Sequence, residues 1–192
     1  MHKVISGLLL TGTLILVLSF IRPVKQPSEQ LTVVNNSQAA KEQIKWVSLE
    51  EAETALKAND KPVLIDLYTD WCGWCKVMDK KTYSHPQVIK YINENFIPVK
   101  LNAETKEDIA WLGKTYGYQA SYRVNTYALY LTRGELSFPT TVIMPEKGLS
   151  PQAIAGYLEP KEMEIVLHFF VDKHYGTQSF EQYHKKYSTT WK

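Results

Sequence analysis

The chain has 192 residues, a formal net charge of +2, 44% hydrophobic and 12% aromatic residues, and two cysteines. That suffices for one domain with extensions. The charge balance leaves no basic field for a nucleic acid, and two cysteines alone make neither a disulfide scaffold nor a four-ligand zinc site.

Residues Val4 to Ile21 form an uncharged apolar stretch between Lys3 and Arg22, with Lys25 beyond. It is long for the core of a signal peptide and just long enough to span a bilayer. The bulky Leu18-Ser19-Phe20-Ile21 run offers no small-residue cleavage site, and no cysteine follows for lipoprotein processing. Residues 1–22 therefore read as a signal-anchor or a cleaved export signal, ahead of a buried core helix. The first two place the rest of the chain in a periplasmic or other extracytoplasmic, oxidising compartment. An uncleaved segment would anchor it to the inner membrane by residues 4–21.

Residues 23–43, rich in Gln, Ser, Asn and Pro, read as a flexible tether. Ser48 and Glu51 form a capping-box pattern that opens a helix to about Asn59, with Leu49, Ala52 and Leu56 inward. The apolar run 62–68 reads as a buried strand, and a helix follows over 72–82. Ser84 and Pro86 mark another helix start, with Val88, Ile89 and Ile92 as its apolar face. A strand is expected over 96–101 and a helix over 106–116, with Ile109 and Leu112 inside. A further helix is expected over 126–133. A third strand over 140–144 turns at Glu146-Lys147-Gly148 into a short strand near 153–156. Pro160 starts a helix carrying Met163, Val166, Leu167 and Phe170, which Gly176 ends. Phe180, Tyr183 and Tyr187 give the 176–192 extension an amphipathic pattern. Alternating strands and helices, closing on a hairpin and a helix, predict an α/β domain with a mixed sheet.

Cys72 and Cys75 sit three apart in Trp71-Cys72-Gly73-Trp74-Cys75-Lys76. Such a pair is a self-contained redox device: one thiolate attacks a disulfide and the other resolves the mixed product. The motif follows a strand and opens a helix, where unpaired amides and the helix dipole favour a thiolate at Cys72. Cys75, one turn later, faces inward. Asp66 lies among apolar neighbours, so its pKa should be raised, and it could take the Cys75 proton directly or through a water. Lys76 stands where a haem-attachment motif needs histidine. His85, His168, His174 and His184 are expected at the surface. The tyrosines of 116–130 could pack the core or line a binding surface.

The run from Val63 to Lys76 resembles the active-site strand and helix of thioredoxins. Val99-Lys100-Leu101-Asn102 is similar to that family's next strand, Phe138-Pro139-Thr140-Thr141 to its cis-proline turn, and Gly156-Tyr157 to the glycine before its last helix. The likeness covers roughly 44–175 and is greatest to exported bacterial thioredoxin-like proteins. It implies a thioredoxin fold, a mixed central sheet flanked by helices, with a helical insertion at about 117–136 before the cis-proline. It also implies thiol–disulfide oxidoreductase activity with no cofactor and no metal.

By that resemblance Cys72, Cys75 and Asp66 are catalytic, and Lys100 tunes Asp66. Trp71, packed beneath the motif, belongs with Gly73, exposed Trp74, Phe138, Pro139 and Thr140 to the client-binding surface. A cis-Pro139 would present the Phe138 backbone beside Cys72, where an extended client could add as a strand. The expected partners are exported proteins with disulfides or thiols and a membrane or extracytoplasmic electron donor, with no nucleic acid. The Gly73-Trp74 pair differs from thioredoxin's Gly-Pro and brings no positive charge to stabilise a reduced thiolate, and Asp70 adds a negative one. This favours reductase over oxidase or isomerase work. A client- or Cu(I)-binding module is the remaining alternative.

Overall fold

The computed structural model describes residues 42–145 and 149–191. The expected membrane segment 4–21, the tether up to 41 and the turn at 146–148 lie outside them. Among the described residues no helix is long and apolar enough to cross a membrane.

The chain runs α1 (Leu49–Ala58), β1 (Val63–Tyr68), α2 (Gly73–Lys81), α3 (Pro86–Asn95), β2 (Ile97–Asn102), then the insertion. It opens on a hairpin, β3 (Ile109–Trp111) and β4 (Lys114–Tyr116), ahead of the 117–136 span expected for it, and continues with a ribbon, β5 (Tyr118–Gln119) and β6 (Val124–Asn125), and α4 (Thr126–Thr132), so only its last part is helical. β7 (Thr140–Met144), β8 (Gln152–Ala155), α5 (Pro160–Val171) and α6 (Phe180–His184) complete it. The central sheet has the order β2-β1-β7-β8. β1 pairs parallel to β2 and antiparallel to β7, and β7 pairs antiparallel to β8.

Strand alternation sorts β1 between two cores. Val63, Ile65 and Leu67 face a core shared with Ala52 of α1 and Trp111, Tyr127 and Leu131 of the insertion. Leu64 faces the other, with Met78 of α2, Ile92 of α3 and Met163 and Leu167 of α5. Asp66 shares the parity of Leu64 and so lies under α2. Its register partners are Lys100 on β2 and Thr141 on β7.

The capping box is present: the Ser48 hydroxyl accepts from the Glu51 N–H and the Glu51 carboxylate from the Ser48 N–H. At α3 the N-cap is His85, with Pro86 next, and the Ser84 hydroxyl turns back to the Lys80 carbonyl.

The expected helix over 106–116 is a β-hairpin. Ile109 and Trp111 are buried while Ala110 is exposed, a period of two. Leu112 (φ 47°) and Gly113 (φ 77°) form the left-handed two-residue turn that fits a right-twisted hairpin. Leu112 is therefore exposed, and its N–H donates to Glu53 (3.2 Å).

Buried Asn125 fastens the insertion to the sheet end. Its N–H donates to the Ala103 carbonyl (2.7 Å), and its side-chain amide donates to the carbonyls of Glu107 and Tyr116. Its side-chain oxygen caps α4 at the Tyr127 N–H (2.9 Å). Tyr127 is a core residue, with Tyr130 stacked on it and Tyr116 packed against it at a tilt.

α5 ends at Val171, five residues before Gly176, and a short 3-10 turn covers His174–Gly176. Three of the histidines expected at the surface, His85, His168 and His174, are half-buried. His168 packs at a tilt against Tyr91 (4.5 Å between centroids) and His174 against Tyr183 (4.5 Å), because the C-terminal extension folds back over α5.

Candidate active site

β1 ends at Tyr68 and α2 begins at Gly73, so the motif occupies the strand-to-helix turn. The turn is closed by the Cys72 N–H donating to the Thr69 carbonyl (3.2 Å). Cys72 is the N-cap of α2, and its sulfur accepts from the Cys75 N–H at 3.0 Å. No acidic residue occupies the first turn of α2. The Cys75 amide and the positive end of the helix dipole thus converge on the Cys72 sulfur, an arrangement that stabilises a thiolate. Cys72 and Cys75 are joined as a disulfide, and both are buried.

Asp66 is 2% exposed beneath α2. Burial pushes its carboxyl up to about 6, against the pull of the Lys100 ammonium 3.0 Å away. Lys100 is also hydrogen-bonded to Asp79 of α2, so one ammonium joins a buried and a solvent-facing carboxylate. Burial disfavours that ammonium, but the two carboxylates outweigh it and hold its pKa above the ordinary lysine value. The rings of Trp46, Tyr68 and Tyr83 surround Lys100 at 5.2–6.0 Å from their centroids. Sequence reasoning pointed to Lys100 but missed Asp79. Its signal is its place one turn after Cys75, on the face of α2 that meets the sheet.

The Phe138–Pro139 peptide bond is cis. Pro139 is buried and its carbonyl accepts from the Gly156 N–H at 2.8 Å. Thr140, also buried, begins β7 and donates its hydroxyl to the Ser137 carbonyl. Phe138 is half-buried and precedes the ladder, whose last pairs on this side are Leu67–Thr140 and Thr140–Ala155.

Trp71 does not pack beneath the motif: it is 68% exposed. It sits on the outside of the strand-to-helix turn, where its indole N–H donates to Glu104 (3.0 Å) and its ring meets Phe138 edge-on. Trp74 is 61% exposed and leans on Tyr157, with ring centroids 5.5 Å apart. Gly73 between them is exposed. The two indoles, Phe138 and Tyr157 form an aromatic rim beside the cysteines. Glu104 and Tyr157 were not singled out as site residues in the sequence. Glu104 carries no local pattern, whereas Tyr157 stands in the Gly156-Tyr157 pair already likened to thioredoxins, which was the signal for it.

Residues 32–192 match the family model Thioredox_DsbH, described as "Protein of unknown function, DUF255". Over 71 residues the chain is 39% identical to the thiol:disulfide interchange protein DsbD of Escherichia coli (strain K12), covering 36% of this chain and 12% of that protein. Over 60 residues it is 32% identical to the uncharacterized protein B0495.5 of Caenorhabditis elegans, covering 31% of this chain and 8% of that one. The chain thus spans about a tenth of the length of these curated relatives. A thioredoxin-fold protein from Helicobacter pylori superimposes with a TM-score of 0.50 over 71% of this chain and 92% of its own, at 20% identity, which shows the shared fold.

Proposed function

The chain belongs to the Thioredox_DsbH family, and from that premise we propose that it is a thiol–disulfide oxidoreductase that reduces or reshuffles disulfides in exported proteins. The observation that carries this reading is the Cys72–Cys75 disulfide at the N-terminus of α2, with the buried Asp66 beneath that helix. The similarity to DsbD, a thiol:disulfide interchange protein, supports it.

In the reduced enzyme the Cys72 thiolate attacks a client disulfide. One client sulfur leaves as a thiolate, and the other joins Cys72 as a mixed disulfide. Cys75 then loses its proton to Asp66 and attacks the Cys72 sulfur, releasing the second client thiol and closing the Cys72–Cys75 disulfide. Two electrons pass from the enzyme dithiol to the client. Asp66, with a pKa of about 6, is an acceptor suited to near-neutral pH, and Lys100 with Asp79 sets its charge. Trp71, Gly73, Trp74, Phe138, Pro139 and Thr140 form the surface on which the client lies, extended along the backbone before β7.

A second thiol–disulfide exchange with an extracytoplasmic or membrane electron donor reduces the pair again. In this reading residues 4–21 hold the domain near that donor at the membrane surface. The cationic Lys100 faces Asp66 rather than Cys72, and the Gly73-Trp74 pair between the cysteines carries no positive charge, which supports reduction over oxidation.

The test is reduction of a protein disulfide by the prereduced full chain, followed by free-thiol release. The parent turns over, Cys72→Ser is inactive, and Cys75→Ser accumulates mixed disulfides with its clients. A Cys72→Ser protein that still reduces the client would overturn the mechanism. A measured potential near the oxidising end would assign oxidase or isomerase work instead.

A further inference from the structure

The two exposed indoles stand beside the cysteines in unlike surroundings. On the Trp74 side, Trp74, Phe138, Pro139, Gly156 and Tyr157 line an open cleft of about 190 Å³. Its walls are aromatic faces, the proline ring and a glycine. Gly156 has φ 99°, and nothing stands within 4 Å of where a Cβ would point, so the backbone leaves that wall open. The size and lining suit one leucine- or phenylalanine-sized side chain. Apolar surface left exposed beside a reactive centre and rimmed by polar groups marks a recognition site.

On the Trp71 side stand two carboxylates, the exposed Asp70 and the half-buried Glu104. Glu104 accepts from the Trp71 indole N–H (3.0 Å), and Asp70 accepts from the Asn102 side-chain amide (3.0 Å). These bonds orient two carboxylates at the outer edge of the same rim, and Phe138 links the halves by touching Trp71 and lining the cleft. The site is thus asymmetric: apolar and concave on one side of the cysteines, anionic on the other.

We propose that this rim selects client cysteines flanked by a large apolar residue on one side and a lysine or arginine on the other. The apolar side chain enters the Trp74–Tyr157 cleft and the cation meets Asp70 and Glu104. This specificity rests on the reductase reading above. The reaction is unchanged: two electrons move from the Cys72–Cys75 dithiol to the client disulfide, yielding two client thiols and the enzyme disulfide. Selection acts in forming the mixed disulfide, where burial of the apolar side chain and charge pairing raise the rate of the productive encounter.

The experiment uses the prereduced full chain and short peptides whose single cysteine is held as a mixed disulfide with a chromogenic aryl thiol. Four peptides carry Phe or Ser on one side of the cysteine and Arg or Glu on the other. 2-Hydroxyethyl disulfide, which has neither feature, reports the bare redox reaction. Phe over Ser should raise the second-order rate about tenfold or more. Arg over Glu should raise it several-fold at low salt, and the gain should shrink as salt is added. The Phe/Ser ratio should collapse toward one in Trp74→Ala and in Tyr157→Ala. The Arg/Glu ratio should collapse in Asp70→Asn and in Glu104→Gln, the last of which can still accept from Trp71. Ratios within one protein cancel any general loss of activity. Equal rates for Phe and Ser peptides, with 2-hydroxyethyl disulfide still reduced, overturn the specificity. Failure to reduce 2-hydroxyethyl disulfide overturns the reductase reading itself. A dimer by sedimentation in which Trp74 fluorescence is shielded places a second copy in the cleft and also overturns the proposal.

Discussion

The Lys100 ammonium lies 3.0 Å from the buried Asp66 carboxylate and is hydrogen-bonded at the same time to Asp79 at the edge of α2. The register of the parallel pair sets Asp66 directly beside Lys100, and both point under the helix that carries the cysteines. Asp66 therefore titrates under opposed influences. Burial and the Asp79 charge raise its pKa, and Lys100 lowers it, with a balance at about 6. Tyr83 faces the same cluster, and burial with the nearby Asp66 charge pushes its phenol well up, so it stays neutral throughout.

Opposite substitutions around Asp66 should move its titration in opposite directions. Lys100→Met removes the only factor holding the carboxyl down and should raise its pKa by about one unit or more. Asp79→Asn removes a repelling charge and leaves Lys100 to Asp66 alone, so the pKa should fall. Carbon-13 NMR of the Asp66 side chain, followed from pH 4 to 9, reads both shifts. The pH midpoint for release of a trapped mixed disulfide should move with them. Shifts of the same sign in both variants would sink the opposed-charge account.

Asp66 also costs stability. Its folded pKa is raised from 3.8 to about 6, so below about pH 4 both folded and unfolded chains hold the proton. Between those values only the folded chain keeps it, and stability falls as pH rises. Above pH 6 the penalty is complete at roughly 3 kcal/mol, taking about 1.4 kcal/mol per unit. Asp66→Asn should therefore be more stable than the parent by roughly 1–3 kcal/mol at pH 8, with the gain vanishing near pH 4. Urea unfolding at several pH values measures the difference. A difference that stays flat from pH 4 to 8 contradicts the buried-carboxyl reading.

The sheet and the cysteine-bearing helix were legible in the sequence because their signals are local. The buried run 63–68, the capping residue Ser48, the helix-opening Pro160, and the apolar faces of α3 and α5 each announce themselves within one element. The hairpin over 109–116 was not, because Ile109 and Leu112 are also three apart and satisfy a helical spacing. What decides against the helix is the Leu112-Gly113 turn, whose left-handed geometry a non-glycine residue seldom signals. The rim was only half legible. Trp71, Trp74, Pro139 and the Gly156-Tyr157 pair belong to motifs, whereas Glu104 and Asp79 arrive from segments whose positions depend on the fold.

Leu112 itself is a testable point. Its φ of 47° lies in the left-handed region and its side chain is exposed, so it holds a strained backbone with little burial in return. Leu112→Asn or Leu112→Gly should suit the turn better and raise stability by about 0.5–1 kcal/mol. Thermal unfolding measures this. A loss of stability in both variants would mean that Leu112 packs more than its exposure implies.

The C-terminal extension is held by a single buried carboxylate. Glu164 on α5 is fully buried and accepts from the Thr190 N–H (2.8 Å), the Thr190 hydroxyl (2.7 Å), the Trp191 N–H (2.9 Å) and the Tyr187 hydroxyl (3.2 Å). Burial alone would raise its pKa, but these bonds outweigh it and leave the group below the ordinary glutamate value. Their joint effect is to seat Trp191 against Tyr91 and His168. Both carboxylate oxygens act only as acceptors. Glu164→Gln turns one of them into a donor facing donors, so the clasp should weaken by about 1–3 kcal/mol at pH 7. The sign with pH follows from the lowered folded pKa. The stabilisation is present above the unfolded value of 4.5 and is lost as pH falls through the folded value. The parent should therefore lose its advantage over Glu164→Gln on acidification below about pH 5. A chain ending at Ser188 should match the variant, with Tyr91 and His168 newly exposed. Urea unfolding gives the free energies, and carboxypeptidase digestion reports release of the tail, fast in Glu164→Gln and slow in the parent. Equal digestion rates and equal stability at pH 7 would show that the tail is held by its aromatic contacts and not by Glu164.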